Sequence, residues 1–228
     1  EMQRSLVGSE MCIRDSHIPA REAAGILSQK TGVTPEQARI AIEACNGSIT
    51  RAMTFAKSAE RAEFRARIME VLSNLPLSDE RDVLEYAAEL IERAKAPLDN
   101  VRTQQSEELA ESADFLTKTA LKQIELRHKR ALSMATRESL NQTTSIIRSW
   151  LRDVLMIASG TPDLVVNIDQ REVLQRVAQK VTPASIMSAL REAYKTDETL
   201  SYNVSPETCL DVLLFSIREV LNGSGNPH

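Results

Sequence analysis

The sequence predicts an all-α fold, with a small three-helix module followed by a helical bundle. Three observations predict it. Gly and Pro together number 15 in 228 residues, where average usage of roughly 12% would give about 27. Apolar residues recur at helical spacing from residue 17 to the C-terminal region. Most prospective helices are also bracketed by a capping side chain and a proline at the start, or by a glycine just past the end. Leu164-Val165-Val166 is the one short run that leans toward β.

The elements follow in order. Pro19 stands at a first helical position, Ala23, Ile26 and Leu27 follow on one face, and Gly32 suits a left-handed cap, so a helix is expected over 19–31. Thr34-Pro35-Glu36-Gln37 supplies an N-cap hydroxyl, a proline and a capping-box glutamine. Ala38, Ala41, Ile42 and Cys45 then form the face of a second helix closed by Gly47. Ser48 is placed to cap a third, through Met53 and Phe55 to about Ala59. A fourth helix is expected over 59–73, where Pro76 and Ser78-Asp79-Glu80 mark a stop and a new start. The fifth, over 79–96, carries Val83, Leu84, Ala87, Leu90 and Ile91 on its apolar face and ends at Pro97.

From Leu98 to Ser159 there is neither Gly nor Pro. One helix of that length is unusual in a compact domain, so two are expected, with a break within 112–125 and Gly160 closing the second. Asn167-Ile168-Asp169 with Glu172 reads as a further capping box, Asn167 and Asp169 serving as helix caps ahead of Val173, Leu174, Val177 and Val181. Thr182-Pro183 and Ser205-Pro206 open the last two helices. Their apolar faces hold Ile186, Leu190 and Tyr194, then Leu210, Leu213, Leu214, Ile217 and Leu221. The expected organisation is therefore 17–58 for the three-helix module, 59–222 for the bundle and 223–228 for a disordered tail.

Composition narrows the function. Aliphatic runs are far shorter than the roughly 18 residues a membrane span needs, so no membrane partner is expected. A net charge of −4 argues against a surface that grips nucleic acid all round. Cys12, Cys45 and Cys209 are too few and too scattered for a disulfide framework or a zinc site, which points to reduced thiols and a cytoplasmic setting. His17, His128 and His228 have no partner at metal-ligand spacing. The glycines form no phosphate loop, and paired carboxylates such as Asp79-Glu80 sit where a helix dipole favours them. No catalytic residue, metal or cofactor is expected in this chain.

Charge is unevenly spread. Residues 78–114 hold eleven acidic and four basic side chains. Residues 118–152 hold eight basic side chains against Glu125 and Glu138. Lys118, Lys122, Arg127, Lys129, Arg130 and Arg137 could contact phosphates along one helix. The plainer expectation is that the acidic and basic stretches lie against each other. Trp150, among Ile146, Ile147, Leu151 and Val154, reads as a core or interface aromatic.

Two resemblances complete the reading. Residues 5–16 resemble translated sequencing-adapter read-through, so the segment 1–16 is expected to carry no function and His17 to mark a junction within a longer protein. Farther on, Ser149-Trp-Leu-Arg-Asp-Val-Leu-Met-Ile-Ala-Ser-Gly160, Val166-Asn-Ile-Asp169, Leu200-Ser-Tyr-Asn-Val-Ser-Pro206 and Leu210-Asp-Val-Leu-Leu214 occur in that order. Together they resemble the C-terminal collar domain of bacterial DNA polymerase III clamp-loader subunits. Gly32-Val-Thr-Pro-Glu-Gln-Ala38 and Ala44-Cys-Asn-Gly-Ser-Ile-Thr-Arg-Ala52 resemble the AAA+ lid that precedes that collar.

In the ATP-hydrolysing members an arginine occupies the sensor-2 position. Here that position is Thr50, with Arg51 one residue later, as in the non-hydrolysing delta-prime member. The resemblance implies a subunit without catalysis of its own, lacking in this chain the nucleotide-binding domain that precedes the lid in that family. Its implied partners are gamma/tau and delta subunits, and through the assembled ring the sliding clamp and primed DNA. Trp150, Arg152 and Asp153 are then expected to orient the collar helices or to face a neighbour. Two alternatives stand beside it. One is the ATP-binding gamma/tau subunit, and the other a stand-alone helical protein that binds nucleic acid through 118–137.

Overall fold

A computed structural model describes residues 18–112, 115–202 and 204–223, and among them there are ten α-helices and no strand. The expectations for residues 1–16 and for Cys12, His17, Asn203 and the tail from Ser224 to His228 lie outside the described residues.

The three-helix module consists of α1 (Ala20–Thr31), α2 (Pro35–Ala44) and α3 (Ile49–Lys57). Gly32 closes α1 at φ +75° and donates its N–H to the Ser28 carbonyl, the left-handed cap that a Cβ would strain. Thr34 and Gln37 form the reciprocal capping box of α2. Ser48 precedes α3 without a side-chain cap bond, contrary to expectation, and α3 stops at Lys57. Ser58 instead caps the next helix, accepting from the Arg61 N–H.

The remaining helices form the bundle: α4 (Ala59–Asn74), α5 (Glu80–Lys95), α6 (Pro97–Ser112), α7 (Lys118–Ala158), α8 (Arg171–Ala178), α9 (Pro183–Ser201) and α10 (Pro206–Leu221). The expected break in the long glycine-free stretch falls between Ser112 and Lys118, where Thr117 caps α7 by accepting from the Ala120 N–H. Gly160, at φ +80°, ends α7. Capping side chains and prolines open α9 and α10 as the sequence predicts.

Position in α7 decides burial. Its second half supplies Ile146, Ile147, Trp150, Leu151 and Val154, all essentially inaccessible, to the centre of the core. The first half packs on α6 and otherwise faces solvent. Around the buried half lie α2, α4, α5, α8 and α9, with α10 closing over α5 and α9. Apart from Leu98 and Val166, the buried apolar residues from Ala23 to Leu221 form one continuous cluster, so the short module and the bundle share a core. That suits a module of three short helices, which buries too little apolar surface alone.

Two apolar positions depart from the periodicity. Leu84 is 47% exposed and Tyr194 62% exposed, each at the edge of its helix's apolar face rather than its centre. Tyr194 is occupied by the Arg148 guanidinium, which lies 4.8 Å from the ring centroid.

Candidate functional site

The residues expected to orient the collar do meet in one place. Asp153, fully buried on α7, accepts hydrogen bonds from the backbone N–H of Val166 at 3.1 Å and of Asn167 at 2.7 Å. The Asn167 amide donates to the same carboxylate at 2.8 Å and to Ser149 Oγ at 2.9 Å. Arg65, on the buried face of α4, then donates to Asn167 Oδ1 at 2.6 Å and to both oxygens of Asp169 at 2.8 and 2.9 Å. A single polar chain thus ties α4, α7 and the loop between α7 and α8.

Asn167 and Asp169 consequently do not cap a helix. Neither makes a side-chain cap bond, and α8 opens after Gln170, also without one. Their polar groups are committed to Asp153 and Arg65, stronger charge-assisted partners than a helix N-terminus offers. Burial acts to raise the Asp169 pKa, but the Arg65 hydrogen bonds and charge outweigh it and hold the carboxyl below its usual value.

Arg152 carries the network to the three-helix module. It donates to Asp153 at 3.0 Å and pairs with Glu43 at the end of α2. One turn earlier, Arg148 donates to Asn46 Oδ1 at 2.7 Å and pairs with Asp197 of α9. Ser145 donates to the Glu43 carbonyl at 2.9 Å. Three residues of α7 therefore grip the turn between α2 and α3, at the side of an open cleft of about 550 Å³. Burial lowers the Arg148 pKa. Trp150 is completely buried beside this joint, as a core aromatic.

Arg65, Ser149 and Glu43 escaped the sequence reading. Arg65 carried a signal, since it falls three and seven residues before Ile68 and Leu72 on the buried face of α4. A charged residue at such a position calls for a partner.

Thr50 and Arg51 occupy the first turn of α3, and both are exposed. Arg51 Nε lies 3.3 Å from Glu138 Oε1 of α7, with both side chains half exposed. The six cations of the first half of α7 are all exposed. The acidic stretch meets them only in part, because Glu108 of α6 reaches His128 at 3.1 Å and Arg127 at 3.7 Å. Lys118, Lys122, Lys129, Arg130 and Arg137 have no ion-pair partner among the described residues. Also among the described residues, no group of three or more His, Cys, Asp or Glu side chains is disposed to hold a metal ion. No described helix is long and apolar enough to cross a membrane.

These residues form a polar joint, buried at Asp153 and Asn167, that links α4, α7, the loop between α7 and α8, and the end of α2. Residues 106–218, from the last turns of α6 into α10, match the family model described as DNA polymerase III, delta subunit, C terminal. The match supports a clamp-loader subunit of DNA polymerase III. No curated protein and no solved structure matches the chain.

Proposed function

We propose that this chain is the lid and collar of a non-catalytic clamp-loader subunit, of the delta-prime kind, which assembles into the loader ring in the cytoplasm. The observation that carries the clamp-loader part of the proposal is the family match over 106–218, which spans every collar motif the sequence carries from Trp150 to Leu214; the delta-prime part rests on the sensor-2-like position alone. The joint around Asp153 supports it, because a subunit that works by holding neighbours in place needs its own helices fixed. Thr50 at the sensor-2-like position, with Arg51 turned to Glu138, supports a subunit that does not read nucleotide. On this reading the chain takes no cofactor. Its partners are the gamma/tau and delta subunits, and it meets the sliding clamp and primed DNA through the complex.

A second reading, the delta subunit itself, is favoured by the wording of the family description. Reconstitution separates the possibilities. The full chain is mixed with gamma/tau and either delta or delta-prime from the same source, and clamp loading on primed DNA is followed with ATP. A delta-prime subunit completes the complex that contains delta and gamma/tau. A delta subunit completes the one that lacks delta. A chain that stays monomeric in both mixtures overturns the clamp-loader reading.

A further inference from the structure

The first half of α7 has two faces. Leu121, Ile124, His128 and Leu132 turn toward α6 and are half-buried or buried. At about 100° per residue, the opposite face presents Leu126, Arg130, Ser133, Met134 and Arg137, with Lys122 and Lys129 at its border. Leu126 is 47% and Met134 74% exposed, and they line a shallow groove of about 490 Å³ with Lys129, Arg130 and Arg137.

Two features of this face point to its occupant. Its cations are unpaired among the described residues, whereas the neighbouring Arg127, His128 and Glu138 all have partners. Desolvating that many like charges is favourable only against carboxylates or phosphates. Leu126 and Met134 are eight residues apart, a little over two turns and about 12 Å along the axis. Two apolar anchors at that spacing match the anchors of one helix laid along another. Phosphate tracking would make no use of them, and no aromatic side chain stands among these cations to stack a base.

We propose that this face seats an amphipathic helix with acidic flanks, contributed by another subunit of the loader. Its two apolar anchors pack against Leu126 and Met134, and its carboxylates pair with Lys129, Arg130 and Arg137. The inference rests on the clamp-loader reading and adds to it the place and chemistry of one contact.

The test uses the full chain titrated into the other loader subunits, followed by fluorescence anisotropy, with binding of primed DNA by the chain alone measured in parallel. Two surface variants are compared, L126S/M134S and K129E/R130E/R137E, each checked for unchanged helicity. Each variant is expected to weaken subunit association at least tenfold, with salt weakening the wild type more than the charge-reversed form. Wild-type association by both variants overturns the proposal and leaves the clamp-loader reading standing. Unchanged association by L126S/M134S, with DNA binding lost in K129E/R130E/R137E, overturns it in favour of nucleic acid. Absence of any association by the wild-type chain removes both.

Discussion

Asp153→Ala tests the joint most directly. The carboxylate is fully buried and accepts from two backbone N–H groups, the Asn167 amide and Arg152. Truncation to Ala leaves the Val166 and Asn167 N–H groups without an acceptor at positions that are 8% and 2% exposed. Each buried donor so stranded costs about 1–3 kcal/mol, which places the pair at about 2–6. Arg152 keeps Glu43, so its loss is partial. The expected destabilisation is about 3–5 kcal/mol, in the range for breaking a buried charged pair. Urea unfolding followed by circular dichroism reads it. With m of about 2 kcal/mol/M, the midpoint falls by about 1.5–2.5 M at unchanged m. Asp153→Asn keeps the shape and one acceptor, and is expected to lose about half as much. A midpoint for Asp153→Ala within about 0.5 M of wild type, at the same m, refutes the assignment of Asp153 as the anchor of the α7–α8 loop.

Three further outcomes are expected. Gly160→Ala meets no atom within 4 Å, so backbone strain at φ +80° is its whole effect, about 1–2 kcal/mol by the same urea assay. Arg51→Ala removes only a half-exposed pair with Glu138 and should change stability by less than about 0.5 kcal/mol. Glu207 is held down to about 2 from an ordinary 4.5, by Ser205 first and then Lys95. A depressed carboxylate stabilises the fold above its unfolded pKa and loses that contribution as pH falls through the folded one. The Tm difference between wild type and Glu207→Gln should therefore be constant above about pH 5 and vanish by about pH 2, and a difference that persists to pH 2 contradicts the pairing.

Helix boundaries were legible in the sequence because they are local. Thr34, Pro35, Gly32, Thr182 and Gly160 each act within one turn of where they stand, and the structure uses them as their chemistry dictates. The break between α6 and α7 could be bracketed but not placed, since no Gly or Pro marks it. The joint was half legible. Trp150, Arg152, Asp153, Asn167 and Asp169 stood out through a family resemblance, yet Asn167 and Asp169 suggested a cap because a capping box is also a local pattern. Their actual partner, Arg65, is 102 and 104 residues away, a separation that periodicity cannot bridge. Tyr194 was misplaced for a related reason. A helical wheel assigns an edge aromatic to the core, whereas Arg148 from another helix holds it at the surface.

The length of α7 has a mechanical meaning. Its 41 residues make a rod about 60 Å long. The last third is clamped by the core and by the joint at Asp153, while the Lys118 end reaches out past the other helices with only α6 alongside. A rod fixed at one end converts angle into distance, so a tilt of about 5° at the clamp carries the free end through about 3–4 Å over the roughly 40 Å beyond it. Arg148 and Arg152 tie the clamped end to Asn46 in the turn between α2 and α3 and to Glu43 at the end of α2. A shift of that turn would therefore swing the far end of α7, and with it the basic face around Leu126, by about 2–4 Å.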